Sequence, residues 1–166
     1  MWSNDAMTDP MTSQLELRSQ PLFVLTAELG APQVHEPTPS GTRKVVPVLG
    51  SSFVGERLHG EIDPAGGHDW ALVRADGSLV LDVRLVLTTH DGERVLMTYS
   101  GIRTGSPEAL ARLAAGEPVD PHEIYFRIAP RFETGSTKYA WLNGILAIGV
   151  GERLATGPRY TIFEIL

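Results

Sequence analysis

The chain contains no cysteine. Disulfides, thiolate nucleophiles, cysteine-ligated zinc and iron–sulfur clusters are excluded at once. Long apolar runs are also missing. The longest, Leu22-Phe23-Val24-Leu25 and Ile145-Leu146-Ala147-Ile148, fall far short of a membrane-spanning helix. Basic clusters are scarce: Arg43-Lys44 is the only adjacent basic pair, and 14 basic against 20 acidic residues give a net charge of -6. That balance disfavours generic nucleic-acid binding and offers no patch for an anionic membrane. Residues 1–14 lack the basic-then-apolar order of a secretory signal and read as a disordered lead-in. The expectation is a soluble, cytoplasmic protein without nucleic-acid or membrane partners.

The 166 residues suit one domain, expected over residues 15–166. With 42% hydrophobic and 20% charged residues, burial can offset chain entropy, so global disorder is excluded. Glycine (17) and proline (12) are plentiful, which points to a turn-rich, mostly β chain. Strand-like runs follow one another between turn residues: 15–29, 44–49, 52–62, 70–74, 79–89, 94–102, 124–134, 139–149 and 160–165. Asp76-Gly77 and Asp91-Gly92 mark tight hairpins. One helix is expected, capped by Ser106, opened by Pro107 and Glu108, striped by Ala109, Leu110, Leu113 and Ala114, and stopped near Gly116. Short connections imply antiparallel pairing, and a sheet of this size closes into a barrel or folds into a sandwich. An all-β closed antiparallel barrel of about eight to ten strands with one short helix is preferred, because Gly55, Gly60, Gly144, Gly149 and Gly151 suit its bends.

Alternation sorts side chains onto faces. In 124–133 one face carries Ile124, Phe126, Ile128, Pro130 and Phe132; the other carries Tyr125, Arg127, Ala129, Arg131 and Glu133. The polar face is either solvent or a polar lumen. In 79–88, Asp82 and Arg84 share a face flanked by valines and form either a surface ion pair or a half-buried acid. From Tyr139, alternation groups Tyr139, Trp141 and Asn143 as an aromatic-plus-amide face. In the last run Tyr160, Ile162 and Glu164 share a face, with Glu164 read as the frayed end of the chain. Asp69-Trp70 follows a Gly-Gly turn, which sets an acid beside a large aromatic. It reads as a turn-capping acid before a core tryptophan, or as an acid at a barrel mouth.

Motif searches mostly fail. His35, His59, His68, His90 and His122 show no metal-pair spacing, and no G-x-S-x-G elbow, phosphate loop or dinucleotide fingerprint occurs. No metal or cofactor is expected. Any chemistry falls to carboxylates, arginine and aromatic hydroxyls.

Two sets of segments then carry a resemblance. The first is Pro47-Val48-Leu49-Gly50, Phe53-Val54-Gly55, Leu58-His59-Gly60-Glu61 and Gly66-Gly67-His68-Asp69-Trp70. The second is Tyr125-Phe126-Arg127, Pro130-Arg131-Phe132-Glu133-Thr134-Gly135 and Tyr139-Ala140-Trp141-Leu142-Asn143. With Leu81-Asp82-Val83-Arg84 and Thr89-His90-Asp91-Gly92 in place, the chain resembles the DUF3237 family of small bacterial and fungal proteins. Ser51 stands where a second glycine is expected after Gly50, a departure expected to matter little. The resemblance implies a closed antiparallel barrel, broadly like lipocalin or allene-oxide-cyclase barrels, and no settled activity. It also implies that Asp69, Asp82, Arg127, Glu133, Tyr139 and Asn143, with Trp70 and Trp141, face a lumen.

Two functions are expected from these residues. In one, a cofactor-independent isomerase, cyclase or lyase acts on a small, largely apolar molecule. Asp69, Asp82 or Glu133 is its general acid or base, Arg127 its oxyanion partner, and Trp70, Tyr99, Tyr139, Trp141 and Asn143 its ligand contacts. In the other, the barrel binds a small organic ligand without turnover. A homodimer is left open, as is a third reading, a structural β domain with a solid interior. A lumen of roughly several hundred Å³ would support either cavity reading, and a filled barrel would oppose both.

Overall fold

The structure is a computed structural model that describes residues 16–166. The expected lead-in at residues 1–14 lies outside the described residues. The strands are β1 (Ser19–Thr26), β2 (Glu28–Leu29), β3 (Gln33–Val34), β4 (Thr42–Gly50), β5 (Ser52–Val54), β6 (His59–Ile62), β7 (Gly67–Val73), β8 (Leu79–Thr89), β9 (Arg94–Gly105), β10 (Ile124–Glu133), β11 (Leu146–Arg153) and β12 (Pro158–Ile165). Helix α1 (Pro107–Ala114) follows β9, and 3₁₀ turns occupy Pro121–Glu123 and Ala140–Gly144.

These strands form one closed antiparallel barrel of eight staves. β1, β2 and β3 lie end to end along β5 and β4, which are themselves one bent stave. β6 and β7 likewise lie end to end along β8. The order of staves around the barrel is the order in the chain. Closure comes where β1 pairs with β12, from Ser19 opposite Ile165 to Thr26 opposite Arg159.

The bends have local causes. Between β4 and β5 the backbone turns through Gly50 (φ 128°) and Ser51 (φ 107°), and the Ser51 carbonyl accepts from the Ile62 amide at 2.8 Å. Glycine takes such angles freely; serine does not. Ser51 therefore matters more than the sequence suggests, because it holds a strained conformation at the corner of a stave. Between β6 and β7 the Asp63 carboxylate accepts from the Ala65 amide at 2.9 Å and rounds the turn. Helix α1 forms as expected: Ser106 Oγ accepts from the Ala109 amide, Pro107 opens the first turn, and Gly116 follows at φ 76°.

The core is the lumen itself. Phe53 tilts against Phe23 at 5.5 Å, and Phe132 meets Phe23 at 5.9 Å; nearer the other end, Phe126 and Tyr160 pack edge-on at 5.2 Å. Gly151 on β11 admits the Phe126 and Tyr160 rings, and Gly149 admits Ile128 and Ile162. A Cβ built on Gly151 would stand 2.8 Å from both Phe126 and Tyr160. Gly149 and Gly151 thus serve close packing rather than the bends expected of them, and Gly144 sits in the 3₁₀ turn with open space around it. A third departure concerns residues 139–145, which are not strand; β11 starts only at Leu146.

Two stability outcomes follow from this geometry. Ser51→Gly should stabilise by about 1 kcal/mol, the relief of strain exceeding the added chain entropy. Gly151→Ala should destabilise by ~1–3 kcal/mol through overpacking, whereas Gly144→Ala should lie within about 0.5 kcal/mol of the parent. Urea unfolding midpoints check all three.

Candidate functional site

Inward alternation on four staves brings five polar groups to the same end of the lumen. β7 sends in Gly67, Asp69 and Ala71, while His68 and Trp70 face out. β9 sends in Met97, Tyr99 and, two steps on, Arg103; β11 contributes Arg153 and β12 contributes Tyr160. Asp69, Tyr99, Tyr160, Arg103 and Arg153 line one pocket whose apolar wall includes Leu29, Val48, Leu79, Leu81 and Phe126. Its volume is about 50 Å³. Among the described residues the lumen is not one space of several hundred Å³, because inward side chains such as Phe53, Leu85, Met97 and Ile162 fill it. Among the described residues the barrel is packed through its middle, and this pocket lies at one mouth.

Asp69 is 8% exposed, and its Oδ1 accepts from the Asp82 amide at 3.2 Å. Among the described residues no cation lies within ion-pair distance of it. Burial is the main reason its carboxyl is pushed up to about 7; the Asp82 charge adds to the rise, and the Asp82 amide and the Arg103 charge oppose it. The Tyr99 ring meets the Tyr160 ring at 5.7 Å, and burial raises the proton affinity of both phenols. The Tyr160 hydroxyl is buried without a hydrogen bond of normal geometry.

Arg103 lies over the Phe126 ring at 5.7 Å, with its Nε buried and unpartnered. Burial lowers its proton affinity, and Arg153 lowers it further. Arg153 Nη1 donates to the Leu154 carbonyl at 2.5 Å.

Most of the other expected site residues are elsewhere. Asp82, Arg127 and Glu133 are on the outer face, because their strands bury the alternate positions. Asp82 touches the site only through its amide and its charge. Arg127 lies over the Tyr125 ring at 4.9 Å and donates to the Phe126 carbonyl. Trp70 is 55% exposed and corrects the expectation of a core or pocket ring; its carbonyl accepts from Arg43.

Tyr139, Trp141 and Asn143 close the opposite end. The Tyr139 hydroxyl donates to Asp91 at 3.0 Å, and Lys138 and Thr89 bond the same carboxylate. Asn143 clasps the Thr134 amide and carbonyl at 2.8 and 2.9 Å. The 3₁₀ winding puts Tyr139 and Leu142 on one buried side, so strand parity fails there. Arg57 covers the Trp141 ring at 4.1 Å and pairs with Glu164, which Gln20 also holds at 2.9 Å. Glu164 is thus a buried, partnered acid and not a frayed end. The stacked rings of His59 and His90, 4.0 Å apart, are at this end too.

Fold and site together define a closed antiparallel barrel, plugged at one end and carrying an acid, two phenols and two guanidinium groups at the other. The model for "Protein of unknown function (DUF3237)" matches residues 17–165, and the chain belongs to that family. It is 36% identical over 156 residues to UPF0311 protein RPA1785 of Rhodopseudomonas palustris, covering 94% of this chain and 100% of that protein. The crystal structure of that conserved protein of unknown function matches with a TM-score of 0.88, at 35% identity over 92% of this chain and all of the other. A beta-barrel like protein of Acinetobacter baumannii matches with a TM-score of 0.80, at 34% identity over 92% of this chain and 98% of that one. A more distant structure, an enzyme from Penicillium herquei, shares the fold at a TM-score of 0.70 and 21% identity, covering 92% and 97% of the two chains.

The titration of Asp69 is directly measurable. Its proton affinity is higher folded than unfolded, so the native state binds the extra proton and stability falls as pH rises from about 4 to about 7. Asp69→Asn keeps the acceptor for the Asp82 amide and removes the charge. It should stabilise the protein by ~1–4 kcal/mol at pH 8, with the gain vanishing below about pH 4. Denaturation at a series of pH values, with carboxyl ¹³C shifts for Asp69, checks this.

Proposed function

We propose that the Asp69 end of the barrel is a small-molecule site, and that Asp69 serves there as general acid and base for an isomerisation, cyclisation or elimination that needs no cofactor. One observation carries the reading: a carboxyl buried without an ion-pair partner among the described residues, holding its proton to about pH 7, beside a buried phenol, Tyr160, that has no hydrogen bond of normal geometry. A general base works best when its proton affinity lies near the working pH. Asp69 would take a proton from a substrate atom in hydrogen-bond reach and return it to another atom of the same molecule. Tyr99 and Tyr160 would donate hydrogen bonds to a developing oxyanion, with Arg103 supplying positive charge. The surrounding Val48, Leu81 and Phe126 limit the water that competes for the proton.

The role expected of Arg127 passes to Arg103, because Arg103 enters the lumen. Binding without turnover remains the second reading, favoured by two arginines at the mouth that have no acid partner among the described residues.

Exchange of activated C–H protons in D₂O tests the first reading without knowledge of the natural substrate. With a panel of small 1,3-dicarbonyl and β,γ-unsaturated ketones, the protein should catalyse deuterium uptake at one position. Asp69→Asn should lower the rate by ~10²–10⁴-fold, and Asp82→Asn should change it by less than about tenfold. Deuterium uptake that survives Asp69→Asn undiminished would remove Asp69 from the chemistry. A rate limited by Asp69 as base should rise through about pH 7; one limited by Asp69 as acid should fall there.

A further inference from the structure

The mouth pocket and a larger groove share one residue. Arg153 lines the 50 Å³ pocket with Asp69 and Arg103, and it also lines a groove of about 460 Å³ with Leu113, Glu117, Pro118, Leu154 and Ala155. That groove runs between the C-terminal end of α1 and the turn joining β11 to β12. The pocket holds little more than the volume of a water or two, so it can take only the reacting or charged head of a ligand. The groove is of the size that holds the body of a small organic molecule, and most of its named side chains are apolar.

Charge fixes the nature of the head. Two guanidinium groups face one another's influence at the mouth, partly desolvated, and neither has a carboxylate within ion-pair distance among the described residues. Asp69 is the acid nearest in effect, and it holds its own proton near neutrality. Arg103 Nε is buried with no acceptor. Unpartnered buried donors are costly, and a bound oxyanion satisfies them with charge-assisted hydrogen bonds. Glu117 at the far side of the groove disfavours a second negative charge on the ligand body.

We propose that Arg103 and Arg153 together hold the single carboxylate or equally acidic oxygen of an amphipathic organic acid, whose apolar body lies along the groove between α1 and the β11–β12 turn. This rests on the reading of the mouth as a small-molecule site, but not on Asp69 acting in proton transfer.

Octanoate is the probe, with octanamide, acetate and inorganic phosphate as comparisons, measured on the full chain by calorimetry and by ¹⁵N spectra of the arginine Nε–H groups. Octanoate should bind in the millimolar range or tighter and shift the Arg103 and Arg153 signals. Octanamide and acetate should each bind at least about tenfold more weakly, one lacking the charge and the other the body. Arg153→Gln should weaken octanoate by about tenfold or more, and Ala155→Trp, which fills the groove without adding charge, should weaken octanoate while leaving acetate unchanged. Arg153 and Ala155 lie at the rim, so these variants keep the test available even where Arg103→Gln unfolds the barrel. Equal binding of octanoate and octanamide, unchanged affinity in Arg153→Gln, or silent arginine signals would overturn the proposal. So would phosphate binding as tightly as octanoate, which would mark a simple anion site. Asp69→Asn should retain octanoate. Octanoate binding together with an Asp69 that titrates near pH 4 would remove the acid–base reading and leave this one standing.

Discussion

Closure of the sheet is the constraint on which the rest depends. In a closed eight-stave barrel every second side chain must enter a lumen of fixed width. An inward residue cannot escape by a small shift, because a one-residue slip turns the whole stave inside out. Asp69 is inward because Gly67 and Ala71 are inward on the same stave, and it stays there because β7 pairs with β4 from Val73 to Gly67. The carboxyl is therefore denied water by the backbone of its neighbours, and its proton affinity follows from that denial. Fold and chemistry meet in one hydrogen-bonding register.

The two ends of the barrel treat polar groups differently. At the plugged end the charged groups and the amide are answered, Asp91 by Lys138, Thr89 and Tyr139, Asn143 by Thr134, Glu164 by Gln20 and Arg57, while the buried Ser136 hydroxyl there has no partner. Burial pushes the Glu164 carboxyl up, but the hydrogen bonds from Gln20 and Arg57 outweigh it and hold the group below its ordinary value. At the open end the Tyr160 hydroxyl and Arg103 Nε go unanswered, and Asp69 has one amide in place of a cation. Satisfied networks make a structure rigid; unsatisfied groups store free energy that a ligand can release. The contrast separates the end that holds the barrel shut from the end that has chemistry to offer.

Alternation in the sequence was enough to divide β8 and β10 into faces, and the glycine-flanked Asp69 stood out against it. The division did not say which face was inside. Leu81, Val83, Leu85 and Leu87 fill the lumen, so Asp82 and Arg84 point away from it. Tyr139 to Asn143 misled for a different reason. Alternating aromatic and small residues look like strand, yet three residues per turn also bring Tyr139 and Leu142 to one side, and the hydrogen bonds of Tyr139 and Asn143 decide the outcome. Arg103 and Arg153 were missed at element ends. The strands expected over 94–102 and 139–149 end one and four residues short of them, although Met97, Tyr99, Gly101 and Arg103 continue a single inward file. Tyr160 was legible as a partner of Ile162 and Glu164, but its nearness to Asp69 depends on closure, which no local pattern encodes.

The pocket also has a definite proton inventory. Both tyrosines hold their protons more tightly than a free phenol, and an arginine made slightly less basic by burial is still a cation throughout the neutral range. Asp69 is then the one group there that changes charge near pH 7. A single exchangeable proton, with neutral phenols to donate hydrogen bonds and fixed cations to balance negative charge, suits reactions that remove a proton from one atom and return it to another. Hydrolysis asks more: a base for water and a separate acid for the leaving group. An acid whose proton affinity is set by burial also responds to what sits beside it. An anionic head between Arg103 and Arg153 would screen the attraction of Arg103 for the Asp69 charge and raise the proton affinity of Asp69 further. A bound acid would thereby favour the protonated form of Asp69, and a reaction begun by proton donation would gain from binding the very ligand it transforms.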